Sequence, residues 1–239
     1  MGRLKRYRTA WRRHRRSRGF GVHSPYAYAL VTTVLSERLP YYAYEDLEAL
    51  RRAIVSSAHS RWPHPRVMSL KNAKMLFRIV NHFNPSHLLQ VGSHYGLSAA
   101  SMMSVSSKSR LWLYEPSLDK FPVAADVLRP YLDRIACHDD IQKTIGEYLK
   151  ALVPGEVPFV LVTDIADDTT ERAVRDLLTT VMASRGVVLL RNLSRCAAIG
   201  RLWQHCLAVA THGQTFTNER LALLVSNPKL PLQHFSLWF

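Results

Sequence analysis

Five short stretches of this 239-residue chain end in side chains able to do chemistry. The first, Gln90-Val91-Gly92-Ser93-His94-Tyr95-Gly96-Leu97-Ser98, sets two glycines four apart between an apolar run and a helix-like segment. Gly92 permits a tight turn and close approach of a ligand, and N–H groups at the opening of the helix could face an anionic group. A glycine pair alone is equally an ordinary strand-to-helix turn. The second stretch ends in Tyr114-Glu115, 19 residues after Gly96, where an acidic side chain can accept hydrogen bonds from both hydroxyls of a ribose. Glu115 could instead cap a helix beginning near Ser117, but the spacing favours a nucleoside-bearing ligand. The third ends in His138-Asp139-Asp140, which fits contact with an adenine amine or a helix cap equally well. Asp164 closes the fourth, with Asp167 and Asp168 reading as the cap and first-turn charges of the next helix. Arg191-Asn192 closes the fifth. Asp164 and Arg191 are the candidate catalytic residues, and Gly92, Ser93, Gly96, Ser98, Glu115 and Asp140 the candidate ligand-binding ones.

His23, His94 and His138 carry imidazoles that titrate near neutral pH. Each has a simpler place, at a helix start, in the glycine loop and at a strand end, so none is taken as a catalytic base. The chain has no G-x-S-x-G elbow, phosphate-binding Walker loop or zinc-ligand spacing, and hydrolase and nucleotide triphosphatase readings lack support.

The elements that must position these residues follow from periodicity. Short apolar runs at 87–91, 111–114, 134–137, 159–163 and 186–190 alternate with helical stretches near 97–106, 118–132, 141–152, 169–183 and 197–210. Such alternation predicts right-handed βαβ units and a mostly parallel, doubly wound Rossmann-like sheet of α/β class. The ending differs, with strand-like runs at 214–217, 221–225 and 234–238 and no helix between them, so antiparallel strands are expected at the C-terminal edge. In an open parallel sheet the ligand crevice lies beyond the carboxyl ends of the strands, where the five stretches finish. Upstream, Ser24-Pro25 reads as N-cap and first helical residue of a helix reaching about Ser36. A second helix over 44–57 carries Leu47, Leu50 and Ile54 on one face. A Pro-containing link at 61–66 precedes a third over 69–83, stopped by Asn84-Pro85. The expected organisation is a basic tail at 1–20, an N-terminal helical cap at 21–66 and the sheet domain at 67–239.

Composition sets outer limits. A hydrophobic share of 47% over this length is enough for one large core. No run approaches the roughly 18 apolar residues of a membrane helix, and the 27–35 stretch after the arginines makes a poor export signal. Cys137, Cys196 and Cys206 lack metal-ligand spacing and fit reduced thiols, which makes the cytoplasm the expected compartment. Nine Lys and Arg with no acid fall within residues 1–20, against a net charge of +14 for the whole chain. That arm is a solvated tail, or it neutralises phosphates of nucleic acid or another polyanion.

With those residues in view, the chain resembles the class I S-adenosylmethionine-dependent methyltransferases, and within them a bacterial group marked by an N-terminal G-V-H-S-P element. Here that element is Gly21-Val22-His23-Ser24-Pro25-Tyr26. Tyr41-Tyr42-Ala43-Tyr44, Leu50-Arg51 and Gln233-His234-Phe235 also resemble the group, and the segment 88–98 is similar to its first cofactor motif. The resemblance implies S-adenosylmethionine as cofactor. Gly92 and Gly96 would flank its methionine part in a loop shared with Ser93 and Ser98, Glu115 would hold its ribose, and Asp164 would stand beside the methyl-transfer crevice. Three positions depart from the family pattern: Gln90 replaces an acid, Ile165 a glycine after Asp164, and Arg191 an aspartate before Asn192. In metal-dependent relatives the fourth-strand Asp and the fifth-strand Asp-Asn pair hold a divalent cation. A guanidinium at position 191 puts a fixed positive charge there, so no metal is expected; Arg191 could pair with Asp164, bind an acidic ligand or lie on the surface. The leading expectation is methyl transfer to a small acceptor. The others are a catalytically degenerate binding or scaffold protein, which the three departures favour, and a nucleic-acid-associated protein acting through residues 1–19.

Overall fold

A computed structural model of the chain describes residues 22–61, 66–116 and 121–239. The basic tail, Gly21, the centre of the 61–66 link and the helix start expected near Ser117 lie outside the described residues. Helix α1 (Pro25–Leu30) begins as its residue types require: the Ser24 hydroxyl accepts from the Ala27 N–H at 3.3 Å, and Pro25 occupies the first turn where no N–H is needed. It widens into a π-helical turn, Val31–Leu35, and stops at Ser36. Helix α2 (Ala43–His59) follows, then α3 (Leu70–Phe83). Ser69 caps α3, and Asn84 closes it in the left-handed conformation (φ 43°) immediately before Pro85.

The sheet is built from β1 (His87–Val91), β2 (Arg110–Tyr114), β3 (Ile135–His138), β4 (Phe159–Val162), β5 (Gly186–Arg191), β6 (Gln214–Thr217), β7 (Leu221–Ser226) and β8 (Gln233–Ser236), in the order β3-β2-β1-β4-β5-β7-β6-β8. The connecting helices are α4 (Leu97–Met103), α5 (Phe121–Leu128) with a 3-10 extension Arg129–Arg134, α6 (Ile141–Ala151), α7 (Asp168–Ala183) and α8 (Ala197–Val209). Strands β1 to β5 run parallel, and the order reverses between β1 and β4. Only β7 runs against its neighbours, pairing antiparallel with β5 on one side and β6 on the other. Both edges of β7 are then occupied, so β8 adds to the outer edge of β6, in parallel, rather than forming a second reversed strand.

Alternation along the strands divides the core into two faces. Leu88, Leu111, Phe159, Leu161 and Leu189 face α1 to α5, whereas Leu89, Val91, Val160, Val162 and Leu190 face α6, α7 and α8. The N-terminal helices are not a separate body: Leu30, Val31, Val34, Leu47 and Ile54 share one buried apolar cluster with the first set of strand residues. Two distant sequence features also meet, since Gln214 Nε2 donates to Ser24 Oγ at 2.7 Å and to Gln233 Oε1 at 3.2 Å. The start of α1 is thereby tied to β6 and β8. Among the described residues no helix is long and apolar enough to cross a membrane.

Candidate active site

The strand order reverses at β1 and β4, and a cavity of about 600 Å³ opens there at the carboxyl ends of β1, β4 and β5. Its inner wall is the β1–α4 loop, through Ser93, His94, Tyr95 and Ser98. The loop is fixed from within. Gly92 (φ 79°) and Gly96 (φ 81°) hold left-handed conformations, and His94 joins them at φ 51°. A Cβ on Gly92 would stand 2.9 Å from Asp164 Cβ, and one on Gly96 would stand 3.2 Å from the backbone of Ala124 in α5. Both glycines are therefore demanded by protein packing. The Gly92 carbonyl accepts from Gln90 Nε2 at 2.7 Å and from Thr163 Oγ1 at 2.6 Å. Gln90 Nε2 also donates to Ser98 Oγ at 2.8 Å, while its buried Oε1 has no hydrogen-bond partner. Two carbonyl oxygens cannot share a hydrogen bond, so the Gly92 carbonyl fixes the orientation of the amide and leaves Oε1 as the orphaned acceptor.

Glu115 is buried behind the same loop. Its Oε2 accepts from the Ser93 N–H at 2.6 Å, the Ser93 hydroxyl at 2.7 Å and the His94 N–H at 3.1 Å. The carboxylate following β2 thus anchors the loop at the end of β1; the helix start it could instead cap lies outside the described residues. Asp140 takes the other of its two expected roles. Its Oδ1 accepts from the N–H groups of Gln142 and Lys143 at 2.8 and 3.1 Å, capping α6 away from the cavity. Asp167 caps α7 through the Thr170 N–H at 2.7 Å.

Asp164 and Arg191 both line the cavity, yet among the described residues they form no ion pair with each other. The nearest ionisable partner of Asp164 is His94, with Nδ1 to Oδ2 at 3.9 Å, and half of the Asp164 side chain is exposed. Asn192 (φ 65°) turns the chain out of β5 and donates its Nδ2 to the Thr163 carbonyl at 2.8 Å. The Arg191 guanidinium is largely withdrawn from water: burial, then the charge of Arg195, pushes its pKa down to about 10. Arg66, Arg195 and Arg220 complete a basic rim. Sequence reasoning missed these three. Arg195 shares a loop with Arg191, but Arg66 and Arg220 come from distant loops and leave no local signal. His138 pairs with Glu147 at 2.9 Å, and His23 is exposed.

No family model matches the chain, and no curated protein does. Solved structures do. An O-methyltransferase from Bacillus cereus in complex with SAH superposes with a TM-score of 0.57 at 15% identity, covering 82% of this chain and 96% of that one. A methyltransferase from Geobacter sulfurreducens gives 0.56 at 16% identity over 83% and 96%. The O-methyltransferase TomG from Streptomyces achromogenes, in complex with SAM, gives 0.52 at 13% identity over 91% and 98%. At such identities the likeness establishes the fold: this chain has the Rossmann-like architecture of class I methyltransferases.

Proposed function

We propose that the protein is an S-adenosylmethionine-dependent methyltransferase acting on a small acceptor without a metal ion. One observation carries the reading: a glycine loop, held from behind by the buried Glu115 carboxylate, presents Ser93 and Ser98 to a cavity at the strand-order reversal. That is where open α/β sheets take ligands, and it is the fold of proteins solved with SAM and SAH. The polar groups suit such a molecule. Ser93 and Ser98 offer hydroxyls to the cavity, and the Glu115 carboxylate and the Gln90 amide hold those hydroxyls from behind.

When bound, the cofactor supplies an electrophilic sulfonium methyl. The protein's own task is then mainly to hold the acceptor in line and exclude water, with a base needed only if the acceptor must lose a proton. Asp164, the one carboxylate among the cavity-lining residues, would take that proton in this reading. In this reading no divalent cation is used, because a guanidinium stands at 191 where the metal-dependent relatives would have a carboxylate ligand.

Thermal unfolding tests the proposal. Ligand at about a hundredfold above its Kd stabilises the native state by about 2.7 kcal/mol, roughly 5–10 °C for a chain of this size. SAH and SAM should each raise the melting temperature by that much. Glu115→Ala should lose most of the shift while keeping a cooperative transition. Absence of any shift at millimolar ligand would leave the scaffold reading in its place.

A further inference from the structure

The cavity brings four guanidiniums, Arg66, Arg191, Arg195 and Arg220, around a space that holds a single carboxylate, Asp164. None of the four pairs with a carboxylate among the described residues. Three arginines elsewhere among the described residues are partnered. Buried Arg78 donates to the Val34 and Leu35 carbonyls and the Tyr44 hydroxyl, and Arg175 and Arg201 share the buried Glu171. Arg191 is withdrawn from water without comparable partners, which is costly unless something charged and complementary arrives.

The four side chains come from three stretches of chain, Arg191 and Arg195 sharing one, and each stretch is anchored. Arg51 Nε donates to the Met68 carbonyl at 2.9 Å, steadying the segment that carries Arg66. The left-handed Asn192 launches a turn in which its carbonyl accepts from the Arg195 and Cys196 N–H groups at 2.8 and 2.9 Å. The Leu193 N–H donates to the Arg220 carbonyl at 3.2 Å, drawing the β6–β7 turn against that loop. Arg191 is the withdrawn member, while Arg66, Arg195 and Arg220 are exposed around it. A rim of exposed positive charge leading to a partly desolvated guanidinium concentrates small anions and offers a planar fork for a carboxylate or phosphate.

We infer that the methyl acceptor carries an oxyanion, a carboxylate or a phosphate, that seats against Arg191 with Arg66, Arg195 and Arg220 around it. The inference rests on the methyltransferase reading for the word acceptor, and on the arginine cluster alone for the anion. Tyr95, Leu97, Val67 and Met68 give the cavity an apolar side for the rest of the molecule.

The test measures binding to the full chain saturated with SAH, using benzoate, phenyl phosphate and neutral benzyl alcohol as probes. At least one charged probe should raise the melting temperature in a salt-sensitive way, with benzyl alcohol inert; which of the two acts identifies carboxylate or phosphate. Arg191→Gln should weaken that probe about tenfold or more, leave the SAH shift intact, and melt no lower than wild type without ligand. The last readout separates a ligand-binding arginine from a structural one, whose loss would lower the melting temperature. Should Arg191→Gln fail to fold, the exposed pair Arg195→Gln with Arg220→Gln carries the same expectation for the probes. Equal stabilisation by benzyl alcohol, or charged probes unaffected by both variants, would overturn the inference. So would loss of the SAH shift in Arg191→Gln, which would assign the cluster to the cofactor. Charged probes that bind through Arg191 in a protein insensitive to SAH would retain the anion site and remove the methyltransferase reading.

Discussion

Gly96 shows how a residue can be placed correctly from sequence while the reason for it lies elsewhere. The four-residue glycine spacing and its position between strand and helix mark the loop, and the structure puts that loop at the cavity. The glycine itself is favoured by its positive φ and by α5, whose Ala124 backbone would stand a tight 3.2 Å from a Cβ. Gly96→Ala should therefore cost about 1–3 kcal/mol of stability, read as a lower urea midpoint with unchanged slope, before any effect on ligand is considered. That Glu115 lies beside the glycine loop was legible because its spacing from the glycines is local information; that it anchors the loop was not. The four-arginine cluster was not, apart from Arg191, since Arg66 and Arg220 stand more than 150 residues apart and meet only through topology. Gln90 and Thr163 fall between these cases: one stood out as a departure from a motif, but that both grip the Gly92 carbonyl is a fact of three dimensions.

Elements were read best where their ends carry caps. Ser24-Pro25, Ser69, Asp140 and Asp167 each begin a helix through a side-chain bond to the backbone; the first and last read as caps from sequence, and Asp140 as one of two alternatives. The π-helical turn at Val31–Leu35 and the 3-10 extension at Arg129–Arg134 were not legible, because both satisfy the same apolar spacing as an α-helix over so few residues. Polar residues inside helices were also hidden. Glu171 lies in the first turn of α7 and is buried. Its Oε1 accepts from Arg175 Nη2 at 2.8 Å and from Arg201 Nε at 2.9 Å, and its Oε2 pairs with Arg201 Nη2, joining α7 to α8. The Arg201 hydrogen bonds, followed by its charge and by Arg175, outweigh burial and hold the carboxyl below its ordinary value of 4.5. A depressed native pKa means the pair contributes fully above the unfolded-state value and is lost as pH falls through the native one. Glu171→Gln should cost about 1–2 kcal/mol at neutral pH, reduced from a fully buried pair because both arginines are partly exposed. Chemical denaturation of the two proteins from pH 7 downward should show that difference constant to about pH 5.5 and shrinking below 4.5.

For the whole molecule, the alternation of runs and helices carried the parallel order of β1 to β5, because βαβ handedness leaves few alternatives. It could not carry the docking of the N-terminal helices, which depends on which apolar face meets which. That docking turns on Arg78. Its position in α3 among Met75, Leu76, Ile79 and Val80 reads as a charged interruption of a buried stripe, yet its guanidinium is inside, closing the end of the π-helical turn. Nε donates to the Val34 carbonyl at 2.7 Å, Nη2 to the Leu35 carbonyl at 3.3 Å and Nη1 to the Tyr44 hydroxyl at 3.0 Å. The last carbonyls of a helix have no partner within it, so these donors satisfy groups that would otherwise be buried and unpaired. Arg78→Met preserves most of the stem's apolar contact and removes every donor, and should cost about 2–4 kcal/mol as the two carbonyls lose their partners. Because the N-terminal helices and the sheet share one apolar cluster, the loss cannot be confined to the helices. Far-UV circular dichroism, which follows the helices, and tryptophan fluorescence, to which Trp112 on β2 contributes, should report one coincident unfolding transition in wild type. In Arg78→Met both midpoints should fall together. If the helical signal melted first while the fluorescence midpoint stayed at its wild-type value, the N-terminal segment would be an independent unit, and the shared core would not be what makes this molecule unfold as one.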